Sequence, residues 1–166
     1  MRIPVFLAII ALACGQTQLQ AAKAKTPVWT DSKDESLPAD FKFQGEYAGE
    51  GHGAQVIALG GGKFQAVLYP GGLPGVGWDG KNRSLLDGEL KDGKVKLTPA
   101  TGNRRYLAKE ADQFSASKQF PPDGHVDHSG SINGEKLVIR GEKRIRLTKT
   151  VRKSPTLGAK PPEGAK

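Results

Sequence analysis

Cysteine is nearly absent from this chain: Cys14 is the only one among 166 residues. Without a second thiol no disulfide can staple the fold, so packing alone must hold it together. Long apolar runs are missing too. The run from Ile3 to Cys14 turns polar at Gly15 and Gln16, short of the about 18 apolar residues that a membrane-spanning helix needs. No G-x-S-x-G elbow and no H-E-x-x-H pair occurs, so neither the serine-hydrolase nor the zinc-protease signature is present. No residue pattern implies a cofactor.

What the chain does have begins at its amino terminus. "MRIPVFLAIIALACGQTQLQAAKA" combines an early arginine, Arg2, an apolar stretch, and a small-x-small pair at Ala22 and Ala24, the layout of an export signal over residues 1–24. The expected location is secreted or periplasmic. A second route stays open: "IALAC" resembles a loose lipoprotein signal, with Cys14 as acceptor of a lipid anchor, and only that route ties the protein to a membrane.

The formal net charge is +8, reduced if Arg2 and Lys23 leave with the signal. A basic exported protein meets anionic envelope polymers or headgroups first, although such an excess also serves solubility. Lys143, Arg144, Arg146, Lys149, Arg152 and Lys153 form a basic cluster without interleaved aromatics, so nucleic acid is not the expected partner. The expected role of these charges is to guard a sheet edge.

Glycine is abundant, 22 residues, roughly twice the usual share of about 7%, and it is spaced like turns between short strands. "QVIALGGGKFQAVLY" reads as strands Gln55 to Leu59 and Lys63 to Tyr69 around a glycine turn. "GELKDGKVKL" and "GSINGEKLVI" repeat the design, with Asp92-Gly93 and Asn133-Gly134 expected as type I′ turns. "KRIRLTKTV" alternates Ile145, Leu147 and Val151 with polar residues, as a strand with one wet face does. Leu107, Ala111 and Phe114 sit at helical spacing, which predicts a short helix over about Tyr106 to Lys118. The expected fold is mainly β: one antiparallel meander over residues 41–152, closing as a small sandwich or barrel, with at most one short helix. Residues 25–40 and the Pro/Gly/Ala/Lys-rich residues 153–166 read as linkers.

The candidate ligand surface lies in "FQAVLYPGGLPGVGWDG". Pro70 should end its strand or place it along an edge, and the glycines after it let the backbone double back. One expectation is a loop that caps the open end of the sandwich or barrel with Trp78 as its plug. The other is a sugar-contacting loop, with Trp78 stacking on a ring, Asp79 accepting from hydroxyls, Tyr69 beside them, and Tyr47 and Trp29 as companions. "GVGWDG" also fits G-x-G-x-x-G, but prolines separate it from the strand and no helix is expected after it, so a dinucleotide site is rejected.

"PPDGHVDHSG" brings Asp123, His125, Asp127 and His128 close in sequence. His125, Asp127 and His128 are weak metal candidates, with His52 as a distant partner; a solvated turn is the ordinary account. Pairings of Asp79 with Glu89 or Glu46 with Glu50 as glycosidase carboxylates carry little without separations.

The phrases "GAQVIALGGGKFQAVLYPGGLPGVGWDGK" and "RKSPTLGAKPPEGAK" together resemble the amino-terminal region of secreted bacterial proteins that carry, farther along, a 3-keto-disaccharide hydrolase domain of lectin-like jelly-roll form. The likeness runs from about Phe41 to Lys166. The hydrolase domain is absent from this chain, so none of its active-site residues carries over. The resemblance implies a secreted, noncatalytic accessory domain, with a glycan or an associated hydrolase domain as partner. A small hydrolase of sugar derivatives, or a fragment of one, is the alternative, and an envelope-attached structural protein is a third.

Overall fold

In the computed structural model, residues 29–31, 34–106 and 114–152 are described. Residues 1–34 form one unit and residues 35–166 another; of the first, the described part shows the Asp34 N–H donating to the Asp31 carbonyl at 3.3 Å.

The second unit is built from hairpins. It contains a 3-10 turn, Ala39–Lys42, and strands β1 (Gly45–Gly49), β2 (His52–Gly60), β3 (Lys63–Pro70), β4 (Ser84–Lys91), β5 (Lys94–Pro99), β6 (Arg105–Tyr106), β7 (Phe114–Ser115), β8 (Ser129–Asn133), β9 (Lys136–Arg140) and β10 (Arg144–Thr150). Eight of them close an antiparallel barrel in the order β1-β10-β9-β8-β5-β4-β3-β2. The expected meander is therefore a barrel rather than a sandwich. Closure matters because β10 pairs with β9 and, over Thr148–Thr150, with β1, joining the first and last strands instead of leaving both as free edges.

The turns follow their glycines, with one shift. Asp92 and Gly93 both have positive φ, 50° and 72°, and link the Lys91–Lys94 pair, the type I′ pattern expected. In the β8–β9 hairpin the terminal pair is Asn133–Lys136. The turn residues are thus Gly134 and Glu135, not Asn133 and Gly134. Only Gly134 has positive φ, 57°, which is the type II′ pattern.

The interior is filled by alternating large and small residues. One register row runs Ala58, Phe64, Gly88, Leu97, Gly130, Ile139, Ile145, so Phe64, Leu97 and Ile139 each have a small inward neighbour to lean over. Tyr47, Leu86, Val95, Ile132 and Leu137 are completely buried in the same core. An eight-stranded barrel has an interior just wide enough for such side chains.

At the end where β1 begins, the 3-10 turn delivers Phe43 into the core, edge-on to Phe64 at 6.2 Å between ring centroids. The Tyr47 hydroxyl holds it by donating to the Phe43 carbonyl at 2.8 Å. Plugging a barrel end, the role expected of Trp78, belongs to Phe43. Tyr47 is interior and cannot accompany Trp78 on a surface.

Two further expectations change. Val151 lies beyond β10 and is 91% exposed; the inward position after Leu147 belongs instead to Lys149, opposite Tyr47. Its long stem runs along the barrel, and its Nζ donates to the Lys42 carbonyl at 2.7 Å. The helix expected over Tyr106 to Lys118 is not formed where it is described: Arg105–Tyr106 and Phe114–Ser115 pair as parallel strands. Residues 107–113 lie outside the described residues.

Gly88 tests the interior row. A Cβ there would stand 2.9 Å from both Phe64 Cβ and Val95 Cγ1, and neither neighbour has room to retreat. Gly88→Ala is expected to lower stability by roughly 1–3 kcal/mol through overpacking, read as a lower urea midpoint with an unchanged m-value. An unaltered midpoint would show that the interior is looser than this row implies.

Candidate functional site

Strand β3 is buried on both faces. Phe64, Ala66 and Leu68 face the barrel core, whereas Val67 and Tyr69, on the outer face, form a second apolar cluster with Leu85, Ala100, Trp78, Ala116 and Phe120. Two segments cover this outer face: the loop 71–83 and the crossover between β5 and β8. The sequence stretch around Trp78 is thus the start of an outer layer.

The loop doubles back on itself, with Leu73 bridged to Val76 and Gly77. It presses so closely on β2 that a Cβ on Gly53 would meet the backbone nitrogen of Leu73 at 2.5 Å. A side chain at Gly53 would lift the loop from the barrel. Trp78 is half-buried: its ring lies 4.9 Å from that of Tyr69, tilted by 58°, and the Arg83 guanidinium stands 5.6 Å from its centroid, within cation–π range. Its Nε1–H donates to the Asn82 carbonyl at 2.6 Å.

Asp79 is spent locally. One carboxylate oxygen accepts from the Lys81 and Asn82 amides, both at 2.8 Å, and the other from the Asn82 side chain at 2.5 Å. These bonds hold its pKa below the ordinary carboxylate value. They form an Asx-type turn that sets the path from Trp78 to β4. The Tyr69 hydroxyl is also engaged: it donates to Gln55 Oε1 at 2.7 Å, and burial raises its pKa. Of the three predicted contact residues, Tyr69 and Trp78 meet, and Asp79 supports the turn beside them.

Tyr69 opens a relay that sequence reading missed. Gln55 Nε2 donates to Glu46 Oε1 at 3.1 Å, and Arg152 grips Glu46 through Nε at 2.6 Å and Nη2 at 2.5 Å. The third Arg152 nitrogen, Nη1, donates to the Pro74 carbonyl at 2.8 Å. Hydrogen bonding from Arg152 depresses the Glu46 pKa. The relay joins the segment after β10 to the glycine loop across β1, β2 and β3. Alternating inward apolar residues put Glu46 and Gln55 on the outer face, but only the register sets them side by side.

The crossover is pinned twice. Gln65, fully buried on the outer face of β3, accepts the Ala116 amide at 2.5 Å. Arg104, whose side chain is 3% exposed, forms a bidentate pair with Asp87, donates to the Thr101 carbonyl at 2.9 Å, and lies over the Phe120 ring. Nothing local in "TGNRRYL" marks Arg104 as buried, because its cover comes from Phe120, distant in sequence.

The metal candidates do not converge. His125 Nδ1 accepts the Leu85 amide at 3.2 Å and its Nε2 is 3.5 Å from Asp127 Oδ1. His52 Nδ1 lies 2.9 Å from the Glu50 carbonyl. Among the described residues no group of three or more His, Cys, Asp or Glu is arranged to hold a metal ion. His128 lies against Gly141, where a Cβ would stand 2.7 Å from its Nδ1. That nitrogen is buried without a hydrogen-bond partner among the described residues. Burial, followed by repulsion from His52 and His125, holds the His128 pKa below its ordinary value. The carboxylate pairings dissolve as well: Glu46 serves Arg152, Glu50 accepts from the Arg146 amide at 2.9 Å, and Glu89 pairs with Lys91 at 2.9 Å. Past Gly80 the chain enters β4 rather than a helix, unlike a dinucleotide loop.

No family model, no curated protein and no solved structure matches this chain.

Two outcomes check this geometry. Asp87→Ala strands the buried Arg104 charge and should cost about 2–3 kcal/mol, below the usual loss for a fully buried pair because Asp87 is part-exposed. Protease cleavage within 100–128 should accelerate. Uniform loss of stability without faster cleavage there would argue against the pin. For His128, the unfolded imidazole takes up its proton first as pH falls through about 6.5, so stability should drop from there down to the depressed folded value and then level off. His128→Gln should flatten urea midpoints measured between pH 7.5 and 5; a slope equal to that of the unaltered protein would contradict it.

Proposed function

We propose that this chain is a noncatalytic accessory domain, exported from the cytoplasm, that contacts carbohydrate in partnership with a glycan-hydrolysing domain. The observation that carries the reading is the division of labour inside the barrel. Its interior is occupied by apolar side chains, leaving the outer surface to do the binding. Among the described residues the carboxylates considered for catalysis are each committed to separate partners. A glycosidase of the common two-carboxylate kind needs both groups facing one bond; a binding domain needs only a firm platform.

The glycine loop is such a platform. Trp78 is oriented by Tyr69, Arg83 and the Asn82 carbonyl, so it loses little freedom when a ring stacks against its open part. Asp79 and Tyr69 contribute by holding the loop rather than by touching the sugar. The resemblance to the amino-terminal regions of secreted sugar-hydrolase proteins supplies the ligand class and the partner.

Affinity gels containing soluble starch or mixed-linkage β-glucan test this. The unaltered protein should be retarded by at least one, Trp78→Phe should retain part of the effect, and Trp78→Ala should migrate as in a glycan-free gel. Retardation undiminished in a Trp78→Ala protein that still melts cooperatively removes the loop from the function.

A further inference from the structure

Strands β8, β9 and β10 lie diametrically across the barrel from β3, and their outward faces differ in kind from the covered side. Ile132, Leu137, Ile139 and Leu147 point into the core, so Ser129, Ser131, Arg140, Arg144 and Arg146 point outward by the two-residue period of a strand. Arg140, Arg144 and Arg146 are all exposed. Arg140 stands directly opposite Arg144, and Ser129 directly opposite Arg140. Arg146 follows two residues along the same face, opposite Val138, which in turn faces Ser131.

Like charges placed directly opposite one another destabilise a sheet. Here that cost has no local relief: among the described residues neither Arg140 nor Arg144 has a carboxylate within ion-pair distance, and Glu142 in the intervening turn pairs with neither. Arg146 is met by Glu50, whose carboxylate accepts from its amide at 2.9 Å and lies 3.5 Å from its Nη1 in an exposed contact. Edge protection accounts for Arg144 and Arg146, since β1 pairs with β10 only over Thr148–Thr150, but not for Arg140, which lies between Ser129 and Arg144 inside the sheet. A local rule broken without a structural gain points to a function.

We propose that this face binds a linear acidic polysaccharide, with Arg140 and Arg144 jointly gripping a carboxylate and Arg146 with Lys143 engaging its neighbours. The planar guanidinium fork matches a carboxylate in bidentate fashion. Ser129, Ser131 and Thr148 line the same face with hydroxyls suited to sugar hydroxyls. The described face has no exposed aromatic for stacking bases and no exposed large apolar side chain to enter a bilayer. The site is separate from the Trp78 loop, and either can fail without the other.

Binding of the full chain to polygalacturonate at low salt is the test, with neutral dextran, phosphatidylglycerol vesicles and a single-stranded oligonucleotide as competitors. The unaltered protein should prefer polygalacturonate to all three. The double variant Arg140→Ser, Arg144→Ser should lose at least about tenfold in affinity while melting no lower than the parent, because a repulsion is relieved. Lys63→Ser, Lys91→Ser, which removes the same charge elsewhere, should lose less than about twofold. Equal loss in both variants, no binding by the parent, or stronger binding to vesicles or oligonucleotide overturns the proposal. If the serine variant melts lower, Arg140→Lys, Arg144→Lys decides: it keeps the charge and removes the fork, and undiminished affinity would again overturn it.

Discussion

The barrel depends on one steric constraint: eight strands can close only if the inward side chains of each row fit a narrow interior. Phe64 is accommodated because Gly88 and Ala58 flank it, and Leu97 because Gly88 and Gly130 do. Were these glycines larger, the strands would be pushed apart and the β1–β10 seam would open. Closure in turn pairs β1 with β10 over Thr148–Thr150, and the Glu50 carboxylate accepts from the Arg146 amide where that pairing stops, so a chain without disulfides is held by hydrogen bonding and packing alone.

A filled interior moves every question of function to the outside, where the two sides of the barrel have been treated differently. Over β1 to β4 the loop and the crossover form a second layer, fastened by groups that each satisfy a partner: Gln65 on the Ala116 amide, Arg104 on Asp87, Arg152 on Glu46 and Pro74. Over β8 to β10 no described segment forms such a layer, and two arginines face each other in register. The covered side is where side-chain charge is neutralised by structure. The bare side is where charge is left for something else to neutralise.

Much of this was legible beforehand, and the physical reason is locality. Gly60 to Gly62 have positive φ, as a tight turn demands, so the β2–β3 hairpin could be read from a short stretch, and Asp92-Gly93 likewise. Asn133-Gly134 misled by one residue because the pairing register, not the dipeptide, selects which residues occupy the turn. The helix over Tyr106 to Lys118 failed at its described ends because the backbone there finds strand partners, Arg105–Tyr106 against Phe114–Ser115, and Ala116 packs on the second cluster. Trp78 was readable as a packing residue, but the surface it would pack against was not.

By itself, then, the amino-acid sequence determined the hairpins, the mainly antiparallel β character and the inward-outward alternation of each strand, since these depend on neighbours a few residues apart and on backbone freedom at glycine. Only the tertiary structure decided that the sheet closes, that β3 is buried on both faces, that Glu46 belongs to Arg152 rather than to Glu50, and that Arg140 confronts Arg144. Each of those facts is a relation between residues remote along the chain, fixed by register and closure, and no local preference encodes it.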